Sequence, residues 1–250
     1  MKLDDLVKSI GIRPDENNKS LNTYIQNKGR LNNFLSALNN IPESLQTAEI
    51  TGKELYDYIY KELDGLEYTV SDINKVANSP IYFGTGYDTG NKRVFGLALS
   101  ALINKVVKKG DKIQLNISKP VDHLFYLADG IEAHVNTAGN YLGDSAKNSK
   151  IYAEKAEGDA GYYMNKCELY VNEAGNYLGE FADNSKIYAE KAGYLVGAGM
   201  DNCELYIKNL IGDLANSCFR RNNEIYLGKE SYKLHPIKYK LKRVNIWETP

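Results

Sequence analysis

The sequence feature that most constrains the fold is an internal repeat. The segment NSKIYAEKA occurs at residues 148–156 and again, unchanged, at residues 184–192. Aligning residues 136–171 with residues 172–207 gives the same amino acid at 23 of 36 positions. A repeat of this kind indicates a solenoid, in which each repeat buries its apolar face against its neighbours.

Each repeat divides into two coils with a period of 18. The shorter period shows in two columns, which are Ile151, Leu169, Ile187 and Leu205, and Gly143, Gly161, Gly179 and Gly197. Within a coil, segments such as Lys150–Glu154 alternate polar and apolar residues, which is typical of a β-strand. Because a coil of this length is too short for a pair of helices, the pattern predicts a parallel β-helix.

The charges explain why the repeat is two coils long. The residue before each inward aliphatic residue alternates in sign along the chain: Glu132, Lys150, Glu168, Lys186 and Glu204. In stacked parallel strands the nearest neighbour of a residue is its counterpart one coil away, and like charges there destabilise a sheet. Neighbouring coils are therefore expected to be complementary, so that only every second coil is alike.

The same register extends the β-helix in both directions. An offset of 18 aligns Gln114–Ser118 with Glu132–Asn136, and Glu224–Leu227 fits after a two-residue insertion near Arg221. The sequence thus predicts about seven coils. Two inward columns alternate smaller and larger residues, as interdigitated layers require. These columns are Ala146, Met164, Ala182 and Met200, and Ser149, Cys167, Ser185 and Cys203.

The three cysteines are predicted to be small core residues. Cys167 and Cys203 lie two coils apart, about 10 Å, which is too far for a disulfide. Cys218 falls in the inward Ala/Met column. The histidines His123, His134 and His235 are scattered, so neither a metal site nor a cofactor is expected.

The glycine-punctuated strings AGNYLG (174–179) and GYLVGAGMDNCELYI (193–207) resemble a known family. They are similar to the right-handed β-helix found in formylmethanofuran dehydrogenase and at the C-terminus of the glutamate synthase large chain. The likeness covers about residues 112–229. It implies a right-handed helix that acts mainly as a scaffold, with no catalytic residue carried over. A departure is that Asn148-Ser149 and Asn202-Cys203 replace the family's usual Gly-Gly turn.

Outside the coils the chain is predicted to be mainly helical. Residues 1–80 form a helical region, 81–110 a glycine-rich turn with a helix that caps the β-helix, 111–229 the β-helix, and 230–250 a basic tail over the last coil. The individual helices are expected at Leu3–Ile10, at Leu21–Leu38, from a capping box at Thr51 and Glu54 to near Gly65, after Ser71, and at Val94–Lys108. The alternating segment Ile237–Val244 is expected to add an edge strand.

Charge and composition argue against several classes of partner. Lys and Arg total 31 against 32 for Asp and Glu, so no net field would attract nucleic acid or an anionic membrane. The first residues are acidic rather than those of a signal peptide, and no apolar run reaches the length of a membrane span. With an odd number of cysteines, these features favour a cytoplasmic protein.

The main candidate site is an outward column of aromatic residues. It comprises His134, Tyr152, Tyr170, Tyr188, Tyr206 and Tyr226. One interpretation is that these rings only stack on each other and are covered by residues 1–80. The other is that they form an exposed stripe that docks a protein partner, a second copy of the chain or a sugar.

Two weaker sites belong to an enzymatic alternative. Gly84, Gly86 and Gly90 precede a predicted helix and could direct backbone N–H groups at a phosphate, although their spacing is not a standard motif. Carboxylates also share outer columns, with Glu154 and Glu190 in one and Asp144 and Glu180 in another. The sequence therefore predicts a non-catalytic scaffold or protein-interaction module, and leaves open an enzyme acting on a carbohydrate or nucleotide.

Overall fold

The computed structural model describes the solenoid and part of the helical region. The described residues are 29, 32–34, 36, 38, 41–42, 52–65, 67–78, 89–219, 221–228 and 242–243. The helix predicted at Leu3–Ile10 lies outside them, and of Leu21–Leu38 only positions 29, 32–34, 36 and 38 are described, all as helix. No helix within these described ranges is long and apolar enough to cross a membrane.

Besides the helical positions at 29–38, the described residues form three helices before the solenoid: α1 (Gly52–Glu62), α2 (Val70–Ala77) and α3 (Thr89–Val106). Helix α2 starts at Val70 because Thr69 and Asp72 form a capping box, with 3.2 Å from the Asp72 N–H to the Thr69 hydroxyl and 2.9 Å from the Thr69 N–H to Asp72 Oδ2. Helix α3 starts at Thr89, earlier than the predicted Val94. Gly90 therefore lies in its first turn and not in the predicted glycine-rich turn.

The eight strands of the described residues form one parallel sheet in chain order. The strands are β1 (Lys112–Leu115), β2 (Glu132–Ala138), β3 (Lys150–Gly158), β4 (Glu168–Asn176), β5 (Lys186–Ala192), β6 (Glu204–Leu210), β7 (Glu224–Leu227) and β8 (Lys242–Arg243). Strands β1 to β7 build a solenoid of about six turns, which confirms the predicted parallel β-helix. Of the predicted edge strand, Lys242–Arg243 are described, and they pair with β7.

The register confirms the period of 18 over most of the solenoid. Lys150 opposes Glu168, and Glu168 opposes Lys186, as the charge pattern requires. The two-residue insertion before β7 is also present. The register predicted for β1 was wrong: Gln114 opposes His134, because the first coil is two residues longer. A shift of two residues leaves each side chain on the same face of the sheet, so the predicted inward residues were unaffected.

The interior is lined by the predicted columns. Ile151, Leu169, Ile187 and Leu205 are at most 1% exposed, and the Ala/Met column is fully buried. The turns before β3, β5 and β6 contain a left-handed residue, and Asn148, Asn184 and Asn202 supply it with φ between 48° and 50°, whereas Lys166 takes this position before β4. Asparagine tolerates this conformation better than most residues, which explains how it replaces the glycine of the resembled family.

The Ser/Cys column is also a chain of hydrogen bonds through the core. Ser185 Oγ accepts from the Cys167 N–H (3.1 Å) and donates to the Asp183 carbonyl (2.8 Å). Cys203 Sγ accepts from the Ser185 N–H (3.4 Å) and donates to the Asp201 carbonyl (3.1 Å). Ser149 and Cys167 repeat the pattern one pair of coils earlier. These side chains therefore satisfy N–H groups that stacking alone leaves unpaired. They also give a second hydrogen bond to carbonyls that already accept from the preceding coil.

Side-chain hydrogen bonds supplement the backbone pairing near both ends of the solenoid. At β1, Asn74 of α2 and Asn78, which caps the C-terminus of α2, bond to the chain as a neighbouring strand would: Asn74 to Gln114 O and Asn116 N (both 3.1 Å), and Asn78 to Asn116 O (2.7 Å) and Ser118 N (2.8 Å). Residues four apart on a helix are separated by about 6 Å, close to two residues of a strand. In the last coil, side-chain oxygens of Asp213, Ser217 and Asn223 accept from backbone N–H groups of the preceding coil.

The buried thiols lead to a first prediction. Burial raises the pKa of Cys167 and Cys203 to about 11 and that of Cys218 to about 12. Because the thiolate is the reactive form, we expect none of the three to react with a thiol-exchange reagent at pH 8 in the native protein. All three should react at once in denaturant. Rapid labelling of a thiol under native conditions would contradict the buried placement.

Candidate functional site

The predicted aromatic column forms one continuous stack, here called the ladder. Its members are His134, Tyr152, Tyr170, Tyr188, Tyr206 and Tyr226, one from each of β2 to β7. Successive ring centroids are 4.4–4.7 Å apart and the ring planes deviate from parallel by only 2–8°. Each contact contributes about 0.5–1.5 kcal/mol beyond buried area, so the ladder stiffens the outer face of the sheet.

The ladder presents ring edges rather than ring faces. Because the planes are parallel and spaced like the strands, each inner ring has a neighbour over both faces. All six side chains are half-buried. The exposed surface is therefore a row of ring edges and hydroxyl groups.

Several rings of the ladder are held by a carboxylate on their own strand. The hydroxyls of Tyr170 and Tyr206 donate to Glu168 (2.8 Å) and Glu204 (2.6 Å), and that of Tyr226 donates to Glu224. Burial and this contact raise the pKa of Tyr170 and Tyr206. The rings are thus neutral and fixed at neutral pH. The hydroxyls of Tyr152 and Tyr188 have no hydrogen-bond partner within the described part of the chain.

The charged column beside the ladder forms ion pairs between coils. Each lysine bonds to the glutamate of the following strand: Lys112 to Glu132 (2.9 Å), Lys150 to Glu168 (3.0 Å) and Lys186 to Glu204 (2.8 Å). The pKa of Glu204 is lowered by the hydrogen bonds from Lys186 and Tyr206. At Glu168, burial raises the pKa, but the bonds from Tyr170 and Lys150 outweigh it.

An open groove follows the other side of the ladder over its first three rings. The residues facing the rings across the groove are Asn116, Asn136, Glu154 and Asn172, and Gln114 continues the ladder column on β1. Its floor is made by Val135 and Ala153, which are buried. The groove is polar and continuous with the ladder, so the two form one surface.

A second aromatic group on the solenoid was not predicted. Tyr163 and Phe181 stack at 4.9 Å and are 52% and 40% exposed, and Tyr194 is 56% exposed. The signal was present in the sequence, because Tyr163 and Phe181 occupy equivalent positions of successive coils. The column continues as Ser145 and Gly199, so it holds only two rings and is much shorter than the ladder.

The predicted carboxylate columns have different surroundings. Glu190 is paired with Lys208 (2.7 Å), whereas Asp144 is buried and lies 3.6 Å from His123 Nδ1, which makes no hydrogen bond. Burial raises the pKa of Asp159 and Glu180 near this corner. The described residues contain no group of three side chains that could hold a metal ion. Gly84 and Gly86 lie outside the described residues.

Comparison with known proteins identified no homologue of this chain. No protein family, no curated protein and no solved structure matches this chain significantly. The resemblance of residues 112–229 to the β-helix of formylmethanofuran dehydrogenase and glutamate synthase therefore stays a prediction, as does the right-handed sense of the coil.

Proposed function

We propose that this protein is a non-catalytic scaffold whose ladder docks a protein partner. The observation that carries the proposal is the uninterrupted stack of six rings on the outer face of a parallel sheet. Tyrosine is enriched where proteins bind each other, because it contributes a large contact area at a low cost in side-chain entropy. In the ladder the side-chain entropy of the tyrosines is already restricted before binding, since the rings hold one another in place.

The orientation of the rings favours a protein over a sugar. Sugars stack on open aromatic faces, and in the ladder the inner faces are covered by neighbouring rings. Ring edges and hydroxyls can instead contact carbonyl groups and apolar side chains. The surface also alternates in charge, so a strongly acidic or basic partner gains little from it.

Replacing two central rings tests this proposal. We expect Tyr170→Ser with Tyr188→Ser to reduce capture of the partner from the source cells by about tenfold or more, because it interrupts the contact surface at its centre, where binding energy is concentrated. The measurement is affinity capture followed by protein identification. Circular dichroism and thermal unfolding check that each variant is folded.

Two controls make the result specific. Tyr194→Ser removes an exposed ring outside the ladder and should leave capture unchanged. Tyr170→Phe with Tyr188→Phe keeps the stack and should retain most of the binding. Equal capture by the folded serine variant and the wild type would overturn the proposal.

A further inference from the structure

Two polar columns flank the ladder on the same face of the sheet. The leading column lies two residues before each ring and contains Glu132, Lys150, Glu168, Lys186, Glu204 and Glu224. The trailing column lies two residues after each ring and contains Asn136, Glu154, Asn172, Glu190, Lys208 and Gly228. Because strand side chains alternate between faces, residues two apart point the same way.

The two columns never carry the same charge on one strand. Lys150 shares its strand with Glu154, and Lys186 shares its strand with Glu190. On β6 the signs are reversed, with Glu204 leading and Lys208 trailing. On β2 and β4 a leading glutamate is matched by a neutral asparagine. On every strand, the charge of the leading residue is therefore opposite to that of the trailing residue, or one of the two is neutral.

Such a pattern is self-complementary under one particular symmetry. In a dimer with a two-fold axis parallel to the solenoid axis, the two ladders face each other. Each strand then lies opposite the same strand of the second copy. The leading column of one copy then faces the trailing column of the other. Lys150 would oppose the second copy's Glu154, and Lys186 its Glu190. No pair of facing strands would bring like charges of the two columns together.

An antiparallel dimer does not share this property. There each column faces itself in reverse order. An axis through Tyr188 sets Lys186 against the second copy's Lys186. An axis between Tyr170 and Tyr188 sets Glu132 against the second copy's Glu224. Like charges brought together at an interface disfavour the arrangement.

We propose that the partner docked by the ladder is a second copy of this chain, in a parallel two-fold dimer. This inference rests on the proposed function, since it names the occupant of the same surface. Exposed Glu154, which has no ion-pair partner within the described part of the chain, gains the second copy's Lys150. The unpaired hydroxyls of Tyr152 and Tyr188 meet their own counterparts.

The size of the surface indicates a reversible dimer. Six strands about 4.8 Å apart and five residues along each strand give a face of about 24 by 13 Å. The area of this face is smaller than the roughly 800 Å² per partner that stable complexes bury. We therefore expect the dissociation constant of the dimer to be micromolar or higher.

Analytical ultracentrifugation of the full chain over a concentration series tests the dimer. The wild type should show a reversible monomer–dimer equilibrium. Glu154→Lys places like charges at two symmetric contacts and should weaken the dimer about tenfold. Glu157→Lys makes the same charge change on an exposed residue outside the trailing column and should have no effect. Adding Lys150→Gln to Glu154→Lys should restore part of the affinity.

Cross-linking tests the orientation. A short bismaleimide should join a mixture of Lys150→Cys and Glu154→Cys chains only if the dimer is parallel. It should join Glu154→Cys with Lys208→Cys chains if the dimer is antiparallel about an axis between Tyr170 and Tyr188. The native cysteines are buried and do not interfere. A monomeric wild type, an antiparallel pattern, or equal effects of Glu154→Lys and Glu157→Lys would overturn the inference. If the wild type is monomeric but captures a different protein that the Tyr170→Ser, Tyr188→Ser variant does not, the proposed docking function is retained and only the dimer is rejected.

Discussion

Ile187→Ala is expected to lower the free energy of unfolding by about 2–5 kcal/mol. Ile187 is fully buried, and its neighbours in the stack are Leu169 and Leu205. Its Cδ1 atom occupies the space beside Gly179, where an added Cβ would lie 2.4 Å away. The coils above and below hold the cavity open because their backbones are joined by sheet hydrogen bonds.

Ile211→Ala provides a matched control, since it deletes the same atoms from a side chain that is 67% exposed. It should change the stability by no more than about 0.5 kcal/mol. Urea unfolding followed by circular dichroism measures both variants. Similar effects of the two substitutions would show that Ile187 does not lie in the core of the solenoid.

The burial of Ile187 was predictable because the repeat fixes both the neighbours and the face of each strand residue. The same reasoning predicted the pairing of Lys150 with Glu168 and the alignment of the ladder. Both follow from the offset of one coil and from alternation along a strand. No further knowledge of the chain was needed at these positions.

Features without a periodic signal could not be predicted in this way. The register of β1 was wrong because alternation cannot distinguish an offset of 18 from one of 20. The contacts of Asn74 and Asn78 with β1 join a helix to the solenoid, and nothing in the repeat indicates which helix covers the edge. The early start of α3 was missed because its first turn, Thr89–Lys92, carries no apolar residue.

The hydrogen-bonding role of the Ser/Cys column was also missed, since the alternation of sizes explained the pattern without it. The structure shows that the same residues pair backbone groups in the core. Substitution of Ser185 separates the two roles, because alanine is close to serine in volume but cannot form a hydrogen bond.

We expect Ser185→Ala to lower the free energy of unfolding by about 1–3 kcal/mol, because it leaves the buried Cys167 N–H without its partner. The Asp183 carbonyl loses one hydrogen bond but still accepts from the Lys166 N–H. Ser149→Ala should cost a similar amount, since Ser149 bonds to Ile131 and Lys147 in the same way. Ser71→Ala, at an exposed residue of α2, controls for the chemical change and should have little effect.

Amide hydrogen exchange gives a direct test of the mechanism. In Ser185→Ala the Cys167 amide should exchange faster than in the wild type, whereas the Glu168 amide, which bonds to the Ser149 carbonyl, should keep its protection. A loss of stability with unchanged protection of Cys167 would mean that Ser185 acts by packing alone. The alternation of serine and cysteine would then reflect volume and not hydrogen bonding.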